Sequence, residues 1–209
     1  MIEYVTSKVT PQNVRPGSWA AEIYKAAEEG RISHEEVSRL IISYVVPSLE
    51  TTISATGHML DLFGRHPDQW RILKDNPELI PNVVEEVLRV RTPVRSLARY
   101  AVENVVVDGF EIPKGKFVVV LYASANRDER KWQDPERFDI TRANARDHLA
   151  FGIGIHRCPG QYLAKLEITS LLKAMVQRFD SLEIGNPVFE NNNILSYLSA
   201  LPVQLRTRS

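Results

Sequence analysis

The sequence predicts a mainly α protein with small β-sheets, an α+β fold, in one domain over residues 1–209. Three observations support this prediction. Apolar residues recur at helical spacing along the first ninety residues and again near 161–179. Residues 97–121 are rich in β-forming side chains and contain two turns. Residues 128–160 are mostly charged and turn residues with little periodicity, and a segment this long without regular structure is usually functional.

Composition excludes several classes of protein. The chain has 26 basic and 26 acidic residues, and this neutral balance argues against a nucleic-acid partner. A content of 44% apolar and 25% charged residues is typical of globular proteins. The longest nearly apolar run, 40–49, is too short to cross a bilayer, and residues 1–19 lack the pattern of a signal peptide. The sequence therefore predicts a soluble, cytoplasmic protein with no membrane partner.

One long helix is predicted from a capping box. Ser33 is followed three residues later by Glu36, and apolar residues at helical spacing continue to about Phe63. Pro47 lies in the middle of this stretch, where it removes a backbone donor. We expect the helix to kink or unwind there. A shorter helix is predicted over 18–29.

Further elements follow in order along the chain. Residues 77–92 form a predicted helix that Pro93 ends. Strands are predicted over 98–107 and 117–121, with Asp108-Gly109 as a hairpin turn between β-forming stretches. Residues 161–179 form an amphipathic helix, and the tail after it alternates like strands.

The only cysteine, Cys158, lies in a run of ten residues, 151–160, that reads FGIGIHRCPG. A lone cysteine excludes an internal disulfide. Three glycines let the backbone approach a large flat group, and the helix that follows favours a thiolate at its N-terminus. These are the needs of a soft iron ligand. The alternative is a free buried cysteine that acts as a small hydrophobe.

These ten residues resemble the haem-binding signature of the cytochrome P-450 family, Phe-Gly-x-Gly-x-His-x-Cys-x-Gly, at every fixed position. The resemblance implies that the cofactor is haem b (heme b; iron protoporphyrin IX) and that its metal ligand is the Cys158 thiolate. It implies that the residues binding the cofactor are Arg99, Phe151, Gly152, His156, Cys158 and Gly160.

Two of these residues have a second interpretation. Arg99 matches the strand arginine that pairs with a haem propionate in the family, and His156 matches another propionate partner. Taken alone, Arg99 could be a surface charge and His156 a satisfied loop histidine.

Glu86 and Arg89 match the family's Glu-x-x-Arg helix. Their i, i+3 spacing puts both charges on one helix face, where an isolated pair is usually a solvated surface pair. In the family such a pair meets an arginine from the meander. The resemblance of residues 135–138, PERF, to that segment implies a structural triad completed by Arg137.

Residues 47–52, PSLETT, align with the family's Ala-Gly-x-Asp/Glu-Thr-Thr element. The resemblance implies that Glu50 and Thr51 are catalytic and deliver protons during dioxygen activation. Pro47 and Ser48 depart from the Ala-Gly pair, and we expect the oxygen groove to survive this departure. The alternative is a Thr51 hydroxyl bonded back to the Pro47 carbonyl in a bent helix.

The resemblance covers essentially the whole chain, but it corresponds to the C-terminal, haem-binding half of a soluble bacterial-type member. Its segments are the oxygen-binding helix 33–64, the Glu-x-x-Arg helix 77–92, the small sheet 97–121, the meander and Cys-ligand loop 128–160 and the proximal helix 160–179. The first strands, the early helices and the lid over the substrate pocket have no counterpart. We therefore expect one partial domain over 1–209.

The resemblance implies a haem-thiolate monooxygenase that activates dioxygen for hydroxylation or oxidative dealkylation of a small apolar or aromatic substrate. Residues 47–51 and 64–67 resemble members that act on aromatic acids. The electron donor would be a ferredoxin with its reductase, docking on the basic residues Arg137, Arg142, Arg146, Arg157 and Lys165.

Two other functions remain open from the sequence. The chain could be a non-catalytic or vestigial haem-binding fragment, because half of the pocket walls have no counterpart in it. It could also be a member that uses peroxide and needs no reductase. The retained pair of Glu50 and Thr51 argues against this last function.

Overall fold

Helices come first along the chain, followed by short strands, an irregular segment, a further long helix and terminal strands, and the predicted α+β class is confirmed. The structure, a computed structural model, describes residues 2–190 and 192–207. The helices in these ranges are α1 Ile2–Lys8, α2 Trp19–Glu28, α3 His34–Arg65, α4 Pro67–Asp75, α5 Ile80–Val90, α6 Tyr122–Ala125 and α7 Gln161–Arg178. The strands are β1 Ser96–Tyr100, β2 Val105–Val107, β3 Phe110–Ile112, β4 Phe117–Leu121, β5 Phe179–Ile184, β6 Val188–Phe189, β7 Leu198–Ala200 and β8 Val203–Thr207.

The chain divides into two compact units, 1–50 and 51–209. The first contains α1, α2 and the first half of α3. Its small core is formed by the buried residues Val5, Ala27, Val37 and Ile41. The predicted capping box is present at the start of α3, because the Glu36 carboxylate accepts from the backbone N–H of Ser33 at 2.8 Å and from its hydroxyl at 2.9 Å.

Helix α3 continues through Pro47, so the expected unwinding does not occur. A proline removes one backbone donor, and the turns on either side keep their own hydrogen bonds. Two serine hydroxyls add bonds to nearby carbonyls, Ser43 to Leu40 at 2.7 Å and Ser48 to Val45 at 2.8 Å. The predicted long helix is confirmed, with its bounds at His34 and Arg65.

In the second unit, side chains of α3, α4, α5 and α7 pack into one core. Met59 and Phe63 of α3 are buried there with side chains of α5 and α7. Phe63 meets the rings of Trp70 and Phe138 edge-on, with centroids at 5.2 Å and 5.6 Å. Phe138 belongs to the long irregular segment, so this segment is part of the core and covers α5.

Two-stranded antiparallel ribbons complete the second unit. Strand β1 pairs with β4 from Ser96↔Leu121 to Tyr100↔Phe117. Strands β2 and β3 form the predicted hairpin, and Asp108 and Gly109 at its turn both have positive φ, 51° and 81°. The predicted small sheet is thus two separate ribbons. The tail pairs β5 with β8 and β6 with β7.

Within the described residues, none of the helices combines the length and the apolarity that crossing a membrane requires.

Candidate functional site

The loop before α7 is shaped by two glycines in the left-handed region. Gly152 and Gly154 have φ of 67° and 68°, a conformation that glycine adopts without strain. The backbone N–H of Cys158 donates to the Phe151 carbonyl at 2.9 Å, which closes the loop on itself. The backbone conformation of the loop therefore explains why the signature has glycine at these two positions.

Cys158 lies two residues before Gly160, the N-cap of α7, and is half-buried. The first backbone N–H groups of a helix have no partner within it, and the helix dipole places partial positive charge there. A Cβ built on Gly160 would lie 3.8 Å from the Cys158 sulfur. The sulfur thus lies at the helix start, where negative charge is stabilised.

Strand β1 and helix α6 bring a cation to the same loop. The Arg99 guanidinium donates to the Tyr122 hydroxyl at 3.2 Å and to the Ala98 carbonyl at 3.0 Å. The same hydroxyl lies 3.8 Å from a Cβ built on Gly152. The structure therefore brings Arg99 close to the signature loop, although 53 positions separate the two in sequence.

The residues present fit a haem. Arg99 has no carboxylate partner among residues 2–190 and 192–207, so its charge is available to a propionate. His156 is exposed in a short 3₁₀-helix, and its ring bonds to none of the described residues. The loop also exposes Ile153 by 70% and Ile155 by 96%. A soft donor beside apolar surface and a cation suits an apolar plate with two carboxylates.

A buried charged cluster ties α5 to the meander. Arg89 forms a two-bond pair with Glu86, at 2.8 Å and 2.9 Å, and both side chains are fully buried. The third charged side chain is that of Arg142, whose Nε lies 3.1 Å from the same carboxylate. Its side chain is 9% exposed.

The structure corrects the third member of the predicted triad. The Arg137 side chain is 62% exposed and lies 3.8 Å from Asp139. Only its backbone carbonyl joins the cluster, accepting from Arg89 at 3.1 Å. The physical reason is that its neighbour Phe138 fills the core, which turns the Arg137 side chain outward. Because Arg142 is buried at Glu86, it also cannot belong to the predicted basic docking surface.

Arg89 extends this scaffold toward the signature loop. Its guanidinium also donates to the carbonyls of Asn126 and Pro135, at 2.9 Å and 2.8 Å. The Asn126 side chain in turn accepts from the backbone N–H of Leu149 at 2.7 Å. The charged cluster therefore holds the meander. The chain of hydrogen bonds that starts at Arg89 extends as far as Leu149, two residues before Phe151.

Glu50 and Thr51 lie on consecutive positions of α3. Glu50 is exposed at the end of the first unit, and Thr51 is half-buried at the start of the second. Their role in proton delivery stays a prediction.

Sequence reasoning missed a second ionic cluster, formed by Glu85, His148 and Lys165. The Glu85 carboxylate lies 3.0 Å from the His148 ring and 2.6 Å from the Lys165 ammonium. Burial alone would raise the pKa of Glu85, but the hydrogen bonds from His148 and Lys165 hold it below its usual value. No spacing pattern reveals the cluster, because its members come from α5, the meander and α7.

A buried histidine was also missed. His58 of α3 is fully buried, and its Nε2 lies 2.7 Å from the Ser196 carbonyl, which also accepts from Ser54. Its Nδ1 has no hydrogen-bond partner among the described residues, and the Asp61 Oδ2 has none either but lies 3.8 Å from the Arg91 guanidinium. Burial lowers the pKa of His58, and the Arg91 charge lowers it further, against the bond to Ser196.

Comparison with known proteins identifies the family. The family model for cytochrome P450 matches residues 7–204. The chain is 36% identical over 203 residues to cytochrome P450 CYP199A2 of Rhodopseudomonas palustris, covering 97% of this chain and 49% of the relative. It is 37% identical over 182 residues to 6-deoxyerythronolide B hydroxylase of Saccharopolyspora erythraea, covering 85% of this chain and 45% of the relative.

A solved structure agrees as well. Cytochrome P450 CREJ in complex with (4-ethylphenyl) dihydrogen phosphate superposes with a TM-score of 0.89 at 32% identity, covering 98% of this chain and 51% of that one. The chain therefore spans about half the length of the relatives it matches. Since the family model matches residues 7–204, which is nearly the whole chain, the chain belongs to the cytochrome P450 family.

Proposed function

We propose that this protein is a haem-thiolate monooxygenase in which the Cys158 thiolate would hold the haem iron. The cofactor of the family is thiolate-ligated haem b. The proposed reaction is hydroxylation or oxidative dealkylation of a small apolar or aromatic molecule. The observation that carries the proposal is the placement of the only cysteine at the start of α7, in a loop closed by its bond to Phe151.

The residues of this chain would hold, orient and screen the cofactor. When bound, the haem supplies the redox chemistry of dioxygen activation, and a thiolate ligand favours cleavage of the O–O bond. The start of α7 stabilises the negative charge on the Cys158 sulfur. Arg99 and His156 are the proposed partners of the propionates. Gly152 and Gly154 have no side chains that would block the haem at this loop.

Glu50 and Thr51 are the proposed proton carriers. A threonine hydroxyl can donate a proton to a reacting oxygen. A nearby carboxyl group can then return a proton to the hydroxyl. The exposure of Glu50 supports this role, because an exposed carboxylate exchanges protons with water.

The proposed substrate class is a small aromatic acid. It rests on the resemblance of residues 47–51 and 64–67 to members with such substrates, and on the structure of CREJ, whose ligand is an aromatic phosphate monoester. Titration of the haem-loaded protein with 4-substituted benzoates and with their neutral amides tests it. The acid should perturb the haem spectrum at a lower concentration than its amide, and the opposite order would contradict the proposal.

The proposed electron donor is an acidic ferredoxin with its reductase, in the cytoplasm. Arg137, Arg146 and Arg157 are exposed and remain candidates for the docking surface, whereas Lys165 is paired with Glu85. Reduction by a ferredoxin should slow as salt rises, and the change Arg157→Gln should weaken this salt dependence. A rate that ignores ionic strength would argue against ionic docking.

The ferrous carbonyl spectrum tests the central assignment. The wild-type protein should give the red-shifted band of a thiolate-ligated carbonyl complex. Cys158→Ala should abolish this band, and Cys158→His should move it to the imidazole type. Pro159→Ala is the matched control, since this exposed neighbour changes the same loop and leaves the sulfur in place. An unchanged spectrum in either cysteine variant would refute the assignment.

A further inference from the structure

Three ionisable side chains meet beside the signature loop, and we call them the Glu85 cluster: Glu85, His148 and Lys165. Glu85 uses one carboxylate oxygen for each partner, Oε2 for His148 at 3.0 Å and Oε1 for Lys165 at 2.6 Å. The His148 side chain is 3% exposed. Charge-assisted hydrogen bonds of this kind are stronger than neutral ones and set geometry closely.

Both nitrogens of the His148 ring are occupied. Nδ1 accepts from the backbone N–H of Ala150 at 3.1 Å, which leaves Nε2 to donate to Glu85. The ring is thereby fixed in one orientation between α5 and the start of the loop.

Two members of the cluster, Lys165 and His148, lie close to the ring of Phe151. The Lys165 ammonium lies 5.3 Å from the centroid of that ring, within the range of a cation–π contact. The His148 ring lies 5.9 Å from it. The carbonyl of Phe151 accepts a hydrogen bond from the backbone N–H of Cys158 at 2.9 Å. Phe151 is therefore held by its ring at the Glu85 cluster and by its carbonyl at the cysteine.

Neighbouring carboxylates on α5 thus serve different segments. Glu86 binds Arg89 and Arg142 and holds the meander. Glu85 binds His148 and Lys165, on either side of the signature loop. The charged residues that hold the meander are therefore different from the charged residues that contact Phe151.

We propose that Glu85, His148 and Lys165 are positioning residues that fix Phe151 and, through its carbonyl, hold Cys158 in place for the iron. The inference rests on the proposed function only in making Cys158 the ligand. Groups behind a metal ligand typically change metal affinity about 10- to 100-fold when they are removed.

Cys158 itself is the probe, because it is the only thiol in the chain. The full chain without haem is treated with a thiol-reactive dye, and the labelling rate reports how often the loop opens. Glu85→Gln removes a charge that two partners share, so we expect Cys158 to be labelled about tenfold faster than in the wild type. Far-UV circular dichroism and the urea midpoint check that the variant is folded.

Two further variants keep the test decisive if Glu85→Gln does not fold. Lys165→Met should also speed labelling, whereas Lys165→Arg keeps a cation for Glu85 and Phe151 and should restore the wild-type rate. The matched control is Asp147→Asn. Asp147 directly precedes His148, and the substitution removes only its exposed ion pair with Lys131. It should leave the rate unchanged. Wild-type labelling in a folded Glu85→Gln or Lys165→Met variant overturns the proposal.

A second measurement separates this inference from the proposed function. In haem-loaded protein, Glu85→Gln should reduce the fraction of thiolate-type ferrous carbonyl while Asp147→Asn keeps it. A wild-type protein without any thiolate-type band would contradict the proposed function. The labelling rates would still decide whether the Glu85 cluster holds the loop.

Discussion

At the scale of the residue, Glu86 combines complete burial with an unusual number of donors. Its carboxylate accepts from Arg89 twice, from Arg142 and from the backbone N–H of Asp139. A buried pair of this kind is weak evidence of net stabilisation, but removal of one partner leaves an uncompensated charge.

Arg137 and Arg142 should therefore differ strongly in their response to the same substitution. Arg142→Gln removes a partner of the buried Glu86 carboxylate, and we expect a loss of about 3–5 kcal/mol in the free energy of unfolding. Arg137→Gln removes an exposed side chain and should stay within about 0.5 kcal/mol of the wild type. Urea unfolding measures both, and equal losses would contradict the corrected triad.

Stability should also fall on acidification because of His58. Its pKa is lowered from 6.5 by burial, so the ring is neutral in the folded protein while the unfolded chain protonates below about pH 6.5. The unfolded state then binds more protons, and stability falls as pH drops from about 6.5 toward the lower folded pKa. One proton gives a limiting slope of about 1.4 kcal/mol per pH unit.

Urea unfolding between pH 7.5 and pH 5 checks this prediction. His58→Asn should flatten the pH dependence in that window, even if it lowers stability overall by disturbing the bond to Ser196. The same slope in the variant and the wild type would show that His58 does not carry the effect.

Some site residues could be predicted from sequence and others could not. Cys158 and the Glu86–Arg89 pair lie in short motifs whose spacing is local, so they were found. Whether Arg137 or Arg142 pairs with Glu86 depends on which side chain points into the protein. This depends on the burial of Phe138, which only the folded structure shows. Glu85 and His148 meet across 63 positions, which no local pattern records.

At the scale of the element, α3 carries the proposed proton carriers. Thr51→Ala removes the hydroxyl and leaves the helix intact, because alanine is a strong helix former. In haem-loaded protein that is completed with the N-terminal half of a relative, we expect about tenfold less product per electron and more hydrogen peroxide. Thr52→Ala, the next residue of the same helix, is the control. An unchanged product yield in Thr51→Ala would make Thr51 a structural residue of α3.

Elements with local chemistry were predicted well. The capping box set the start of α3, and Asp108-Gly109 set the hairpin of β2 and β3. Pairing between distant strands was not predicted, as for β5 with β8, since partners about twenty residues apart depend on the whole core. Of the two outcomes expected at Pro47, a kink or unwinding, unwinding does not occur, because the hydrogen bonds of the flanking turns outweigh the one that proline removes.

At the scale of the molecule, the second unit leaves broad apolar surface uncovered. Leu97, Tyr100 and Phe117 of the ribbon formed by β1 and β4 are exposed, the last by 74%. On α7, Tyr162 is 78% exposed and Leu166 is also exposed. Exposed apolar surface of this kind promotes association.

The 209-residue chain by itself should therefore associate and bind haem weakly, without measurable turnover. Haem affinity depends on burial of both faces of the plate, and this chain spans about half the length of its relatives. Adding the N-terminal half of a close relative should raise haem retention and favour a single species. Size-exclusion chromatography with haem absorbance checks this. Stoichiometric haem in a monodisperse, active monomer would contradict it.

The hairpin of β2 and β3 has a practical consequence for labelling the protein. Its base is closed by its own bond, from the Lys114 backbone N–H to the Asn104 side chain at 2.8 Å, and its residues are nearly all exposed. Exposed loop tips accept extra residues at little cost. An epitope or a small fluorescent reporter inserted between Asp108 and Gly109 would give a handle on the molecule far along the chain from Cys158.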